Sequence, residues 1–132
     1  MILVDSSVWI DYFHGAPHWQ TDVLDEMLGK EIIVIGDYVL AEVLQGFRSD
    51  KDYAKAKTML QYFPCYELCG TAIAMKSTEH FRYLRKRGIT VRKTIDVIIA
   101  TFCIQNDLLL LHNDKDFLPF ERFLSLKTVK RI

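Results

Sequence analysis

The sequence predicts a three-layer α/β fold with a mainly parallel, five-stranded sheet covered by helices on both faces. Three observations predict it. Short runs that are apolar at every position recur along the chain: Ile2-Leu3-Val4, Ile32 to Ile35 and Leu108 to Leu111. Segments with helical spacing separate them. Strands buried on both faces read as continuous apolar runs, whereas strands with one wet face alternate, so these runs fit a parallel sheet. At 132 residues the chain has the length of one domain, 1–132, with one core.

The elements follow in order. Ile2–Val4 is a buried strand that feeds a helix N-terminus at Asp5-Ser6-Ser7, with Ser or Asp as the cap. Val8, Trp9, Ile10, Tyr12 and Phe13 make a short apolar helix that ends at His14-Gly15, with Pro17 beyond. Thr21 to Leu28 reads as a helix closed by Gly29, and Ile32 to Ile35 as the second strand. Val39, Leu40, Val43, Leu44 and Phe47 fall at helical spacing. Ser49 and Asp50 can cap a helix from Lys51 to Tyr62, which Pro64 stops. Tyr66 to Leu68 is a short third strand, and Thr71 to Arg87 a long helix ending at Gly88. Thr94 caps a helix through Gln105. Leu108 to Leu111 is the fourth strand and Leu126 to Val129 a weaker fifth.

Composition excludes several classes. Lys plus Arg and Asp plus Glu are 17 each, so nucleic acid can be attracted only by a local patch. No apolar run approaches the roughly 20 residues of a membrane span. The start, Met1 to Asp5, lacks a basic n-region, so the expected location is the cytoplasm. The three cysteines read as reduced thiols: Cys103 lies in an apolar stretch, while Cys65 and Cys69 lack two further ligands for zinc.

The chemistry lies in where acids fall. Asp5 follows the first strand directly. Asp114 and Asp116 follow the four-leucine strand. Ligand sites of parallel α/β sheets form at the carboxyl edge of the strands, so two strands deliver carboxylates to one edge. Asp96 opens a helix among Ile95, Val97, Ile98 and Ile99; it either serves the helix dipole or points into a site. Glu42, among Val39, Leu40, Val43 and Leu44, lies either on a solvated stripe or in the site. Gathering these acids needs compensation. At ~4 Å each like-charge pair costs about 4 kcal/mol at an effective dielectric near 20. Protonation or a hard divalent cation relieves that repulsion. A cation that keeps its waters makes them more acidic and neutralises charge on a phosphoryl oxygen, which is the chemistry of phosphodiester hydrolysis.

In order along the chain, Ile2-Leu3-Val4-Asp5-Ser6-Ser7-Val8-Trp9-Ile10-Asp11, Glu42 before Val43-Leu44-Gln45-Gly46, Ile95-Asp96-Val97-Ile98-Ile99-Ala100 and Asp114-Lys115-Asp116-Phe117 resemble a PIN-domain nuclease. Within that superfamily the chain is similar to the VapC toxins of prokaryotic type II toxin–antitoxin pairs. The resemblance implies an endoribonuclease that uses Mg²⁺ or Mn²⁺. It implies Asp5, Glu42, Asp96 and Asp114 as the acidic quartet, with Asp116 as an auxiliary acid. Asp5, Asp96 and Asp114 would bind metal directly or through water; Glu42 would position a water or complete a second metal site. It further implies a homodimer, inhibited by a VapB-type antitoxin that presents a basic residue to the pocket. Ser6 or Ser7 matches the small hydroxyl that follows the first acid, and either can serve a ligand carboxylate or simply cap the helix. His112 departs from the Thr or Ser common two residues before the last acid. It can contact phosphate, tilt the pH profile or act as a hydrogen-bonded structural residue.

Arg82, Arg85, Lys86, Arg87, Arg92 and Lys93 make a local basic cluster before Asp96. It suits an RNA backbone, or simply a solvated helix end. Arg92 and Lys93, beside Asp96, are the stronger RNA-binding candidates, and Arg85 the next. Two other readings stand beside the nuclease. A receiver or phosphoryl-transfer domain also gathers acids around Mg²⁺, but the segment after Tyr66–Leu68 offers Gly70-Thr71 and no phosphoacceptor acid, and Asp5-Ser6-Ser7 is not Asp-x-Asp. A PIN scaffold without activity is the other, although every matching acid is present.

Overall fold

The computed structural model describes residues 1–131. Four parallel strands form the sheet: β1 (Ile2–Val4), β2 (Ile33–Gly36), β3 (Cys65–Tyr66) and β4 (Leu109–Leu111), in the spatial order β3-β2-β1-β4. Ile2 and Leu3 pair with Ile33 and Val34 on one side, and Ile2 to Val4 with Leu109 to Leu111 on the other. The chain therefore steps outward through β2 and β3, then returns to the opposite side of β1. The reversal opens a crevice between the carboxyl ends of β1 and β4, where α/β sheets bind ligands.

The helices are α1 (Ser6–Phe13), α2 (Trp19–Met27), α3 (Asp37–Gln45), α4 (Asp50–Leu60), α5 (Gly70–Arg85), α6 (Thr94–Gln105) and α7 (Leu118–Leu124), with a 3₁₀ turn at Lys115–Phe117. α1 packs on α2 and α3, and α3 on α4, while α5 packs on α6 and α7. These groups are the outer layers of the α/β/α architecture. The apolar runs read from the sequence are its middle: Leu3, Val4, Val34, Ile35, Leu110 and Leu111 have no accessible surface. Ile99, Ala100 and Cys103 of α6 are equally closed off, and burial lifts the Cys103 thiol to about 12. All three cysteines are free.

The expected fifth strand is corrected. Leu126–Val129 makes a single parallel bridge, Thr128 to Leu110, not a strand. The Leu110 amide donates to the Lys127 carbonyl and the Val129 amide to the Leu110 carbonyl, after which pairing ends. The reason lies just upstream. α7, which the sequence pattern did not announce, runs up to Leu124 and is closed by Ser125 in the left-handed conformation (φ 61°), so the chain turns toward the sheet edge only directly before the bridge. The third strand is also shorter and earlier than Tyr66–Leu68. Leu68 leaves the sheet to fill the space over Gly36, where any β-carbon would collide with it, and its amide donates to the Asp37 carboxylate at 3.1 Å. α6 begins one residue earlier than expected, at Thr94, because Lys93 occupies the cap position in its place and makes no side-chain capping bond. Among the described residues no helix is long and apolar enough to cross a membrane.

Candidate metal centre

Asp5 is placed by two constraints. The β1–β4 pairing continues into it, its amide donating to the Leu111 carbonyl at 2.9 Å. As N-cap of α1 it also accepts from the Ser7 amide at 3.1 Å and the Ser7 hydroxyl at 2.6 Å, all through Oδ2. Its other oxygen, Oδ1, is buried and has no hydrogen-bond partner. Of the two candidate serines, Ser7 therefore holds the Asp5 carboxylate. The same hydroxyl accepts from the Asn113 amide at 3.0 Å, linking the ends of β1 and β4.

Asp114 sits on that second end. It caps the 3₁₀ turn, its Oδ1 accepting from the Asp116 amide at 2.9 Å, which folds Asp116 back beside it. Asp96 arrives from the first turn of α6. One carboxylate oxygen from each of Asp96, Asp114 and Asp116 forms a group whose members all lie within 4.8 Å of one another. Asp96 is buried, and its Oδ2 also lacks a hydrogen-bond partner. Among the described residues three buried side-chain polar atoms lack partners, and two of them are these carboxylate oxygens, the third being Trp9 Nε1. Glu42, half-buried on α3, is near enough to Asp5 to be perturbed by its charge.

The electrostatics record this crowding. Burial first, then the charge of Asp5, raises Asp96 to about 7, with Asp114 and Asp116 adding to the rise. Burial dominates at Asp5 and outweighs the Ser7 hydrogen bonds, so its carboxyl is raised too. Glu42 is raised by burial and Asp5, while Lys93 and the Ser6 hydroxyl pull the other way. The clustered carboxylates of Asp96, Asp114 and Asp116 offer only hard oxygen ligands, which suits a divalent cation. The two orphaned oxygens are the direct sign of fit: each is buried and accepts no hydrogen bond from the protein.

The other predicted residues fall into separate places. Lys93 reaches the acids, its Nζ 3.5 Å from Asp114 Oδ2 and 4.0 Å from Asp96 Oδ2. Arg85 instead lies over the Phe81 ring at 5.5 Å, and Arg92 is exposed; among the described residues neither has an ion pair to the cluster. His112 faces away from the acids. Its Nδ1 accepts from the Asp114 amide at 3.2 Å, so Nε2 carries the proton and points to Glu121 Oε2 at 3.4 Å. The ring packs 5.0 Å from that of Phe117. Of the three roles open to His112, the geometry matches the hydrogen-bonded one.

Two contributors had no sequence signal. Asn113 donates to Asp11 at 3.2 Å and accepts from Gln20 at 3.3 Å, tying the loop to α1 and α2. Glu121 gathers His112, Thr128 and Lys130. A cavity of about 350 Å³ opens beside Asp114, bordered by Trp19, Gln20, His112, Asn113 and Lys130. An Asn after a strand-ending His and a lone Glu on a short helix are both common surface features, so only spatial proximity singles them out.

The family model described as PIN domain matches residues 2–122. The chain is 25% identical over 129 residues to Ribonuclease VapC11 of Mycobacterium tuberculosis, covering 96% of each protein. It has the same identity and coverage with VapC ribonuclease Mb1587 of Mycobacterium bovis. In three dimensions it resembles VapBC2 from Rickettsia felis bound to a promoter DNA fragment, with a TM-score of 0.74, 19% identity and 98% of both chains covered. A toxin–antitoxin complex from Klebsiella pneumoniae gives a TM-score of 0.73 at 20% identity, covering 100% of this chain and 98% of that one. At those identities the structural likeness is one of fold.

Proposed function

The chain belongs to the PIN-domain family, and from that premise we propose that it is a divalent-metal-dependent endoribonuclease, the toxin of a type II toxin–antitoxin pair. The observation that carries this reading is the pair of buried, partnerless carboxylate oxygens of Asp5 and Asp96 beside Asp114 and Asp116. Relatives named as ribonucleases, spanning nearly the whole chain, support the same reaction class.

In this reading Asp5, Asp96 and Asp114 hold Mg²⁺ or Mn²⁺, with Asp116 in support. When bound, the ion supplies Lewis acidity at the phosphoryl oxygen and a more acidic water. Ser7 orients Asp5, and Asn113 fixes the loop that carries Asp114. Glu42, raised above the usual carboxylate range, positions the attacking water from the α3 side. The substrate is RNA. The inhibitory partner is a VapB-type antitoxin, whose basic side chain would neutralise the same carboxylates, and the working form is a cytoplasmic homodimer.

The test is cleavage of a mixed RNA substrate by the purified chain with Mg²⁺ or Mn²⁺, alongside chelator and Asp96→Asn controls. Cleavage that both controls abolish is expected. A folded protein that binds Mn²⁺ by calorimetry yet leaves every RNA intact would falsify the nuclease assignment while sparing the metal site.

A further inference from the structure

Lys93 breaks two local rules. The cap position of a helix favours Ser, Thr, Asp or Asn, and the positive end of the helix dipole disfavours a cation. Lys93 holds that position on α6 without any side-chain capping bond. The compensation is tertiary: its ammonium lies between Asp114 Oδ2 at 3.5 Å and Asp96 Oδ2 at 4.0 Å, two members of the acidic trio. It is the one cation in ion-pair contact with the cluster among the described residues. Its contact with Asp96 is too long for a hydrogen bond, so it offsets charge without satisfying the buried oxygen. A divalent ion held by these carboxylates would contact the same oxygens that Lys93 approaches. An ammonium at its present place would then press against that ion as a like charge. The Lys93 side chain is 63% exposed, so its flexible stem can swing into solvent.

We propose that Lys93 is a resident counter-ion of the acidic cluster, one that a divalent cation must displace, so that this side chain sets the cluster's metal affinity. The inference rests on reading the cluster as a metal site. Without metal, Lys93 lets the acids remain folded together; with metal, its ammonium stands at the rim of the crevice, free to meet a phosphate. Local sequence preference would have chosen another residue at this cap, and departures from local preference concentrate where function requires them.

The experiment is Mn²⁺ titration calorimetry without RNA, on the full chain and on Lys93→Met, Lys93→Gln and Lys93→Arg, all at one mildly alkaline pH. Met and Gln are expected to bind Mn²⁺ roughly fivefold more tightly, the scale of an exposed ion pair. Arg is expected to keep the wild-type affinity, and the gap should narrow as salt rises. Thermal melting in chelator should drop for Met and Gln and recover when Mn²⁺ is added. Unchanged or weaker binding by both neutral variants overturns the assignment of Lys93 alone. Absence of Mn²⁺ binding in all four proteins removes the metal-site reading and this inference together. Because the side chain is largely exposed, the Gln variant keeps the comparison available if Met disturbs folding.

Discussion

The 112–116 loop has two sides, and each gathers carboxylates in a different way. On one side Glu121 is fully provided for: it accepts from Thr128 and from Lys130, and His112 faces it. Burial alone would raise its carboxyl, but these donors outweigh burial and hold it below the usual range. On the other side one lysine reaches Asp114 and Asp96 alone, and Asp5, Glu42 and Asp96 are all pushed upward. Both groups are acidic and partly buried, and the 112–116 loop touches each. What separates them is the number of donors per carboxylate. A satisfied acid ties α7 to the chain end; an under-satisfied set is held in readiness for a charge from outside.

Exchanging charge for neutrality on each side should therefore give opposite results. The largest effect is expected for Asp96→Asn, which removes a proposed ligand and relieves repulsion at once. RNA cleavage should fall by about 10²–10³-fold or more, while the metal-free melting temperature stays level or rises. A loss of folding in this variant would mean that Asp96 is structural. On the other side, Glu121→Gln should lose about 1–3 kcal/mol of stability, because Lys130 and Thr128 lose a charged acceptor. Denaturant unfolding reads this directly, and cleavage per folded molecule should change little.

Acidity distinguishes the two sides next. Asp96 is raised in the folded chain from 3.8 to about 7. Between those values the native state holds a proton that the unfolded state has released, so this group's contribution to stability falls as pH rises from about 4 to about 7. Glu121 is lowered, so its contribution is present above its unfolded value of 4.5 and is lost as pH falls through its folded value. Melting curves across this range should show the first trend in chelator, weakened by saturating Mn²⁺, and the second only in chains that retain Glu121. A metal-free protein that grows steadily more stable from pH 4 to 7 in the Glu121→Gln background would contradict the crowding at Asp96.

Smaller effects come from the residues that hold the loop. Asn113→Ala cuts the links to Asp11 and Gln20 and should weaken Mn²⁺ binding by roughly tenfold, as for other groups that orient a ligand. Arg85→Ala is expected to leave both metal affinity and stability unaltered. A loss of RNA binding at unchanged metal affinity in that variant would place Arg85 on the RNA path.

Much of this was legible beforehand for a definite reason. Ile2–Val4 and Leu110–Leu111 are apolar and buried, as a sheet covered on both faces requires, and acids that follow such strands emerge at one edge. Asp5 and Asp114 were therefore readable as neighbours although far apart in the chain. Glu42 and Asp96 were ambiguous by periodicity alone, since an acid on an apolar helix serves a dipole, a solvated stripe or a site equally well. The fifth strand was overread because Leu126–Val129 has strand-like residues yet, leaving α7 directly before, meets the sheet edge at the single Thr128–Leu110 bridge.

Local sequence thus determined the layers, the strand cores and the edge at which the acids emerge, because burial and backbone pairing impose periodicities that a linear pattern carries. Tertiary structure alone decided which acids lack donors, that Ser7 rather than Ser6 holds Asp5, that His112 turns toward Glu121, and that Lys93 enters the cluster. Those outcomes depend on a few ångströms between side chains from separate elements, and no spacing along the chain encodes a distance that packing has yet to set.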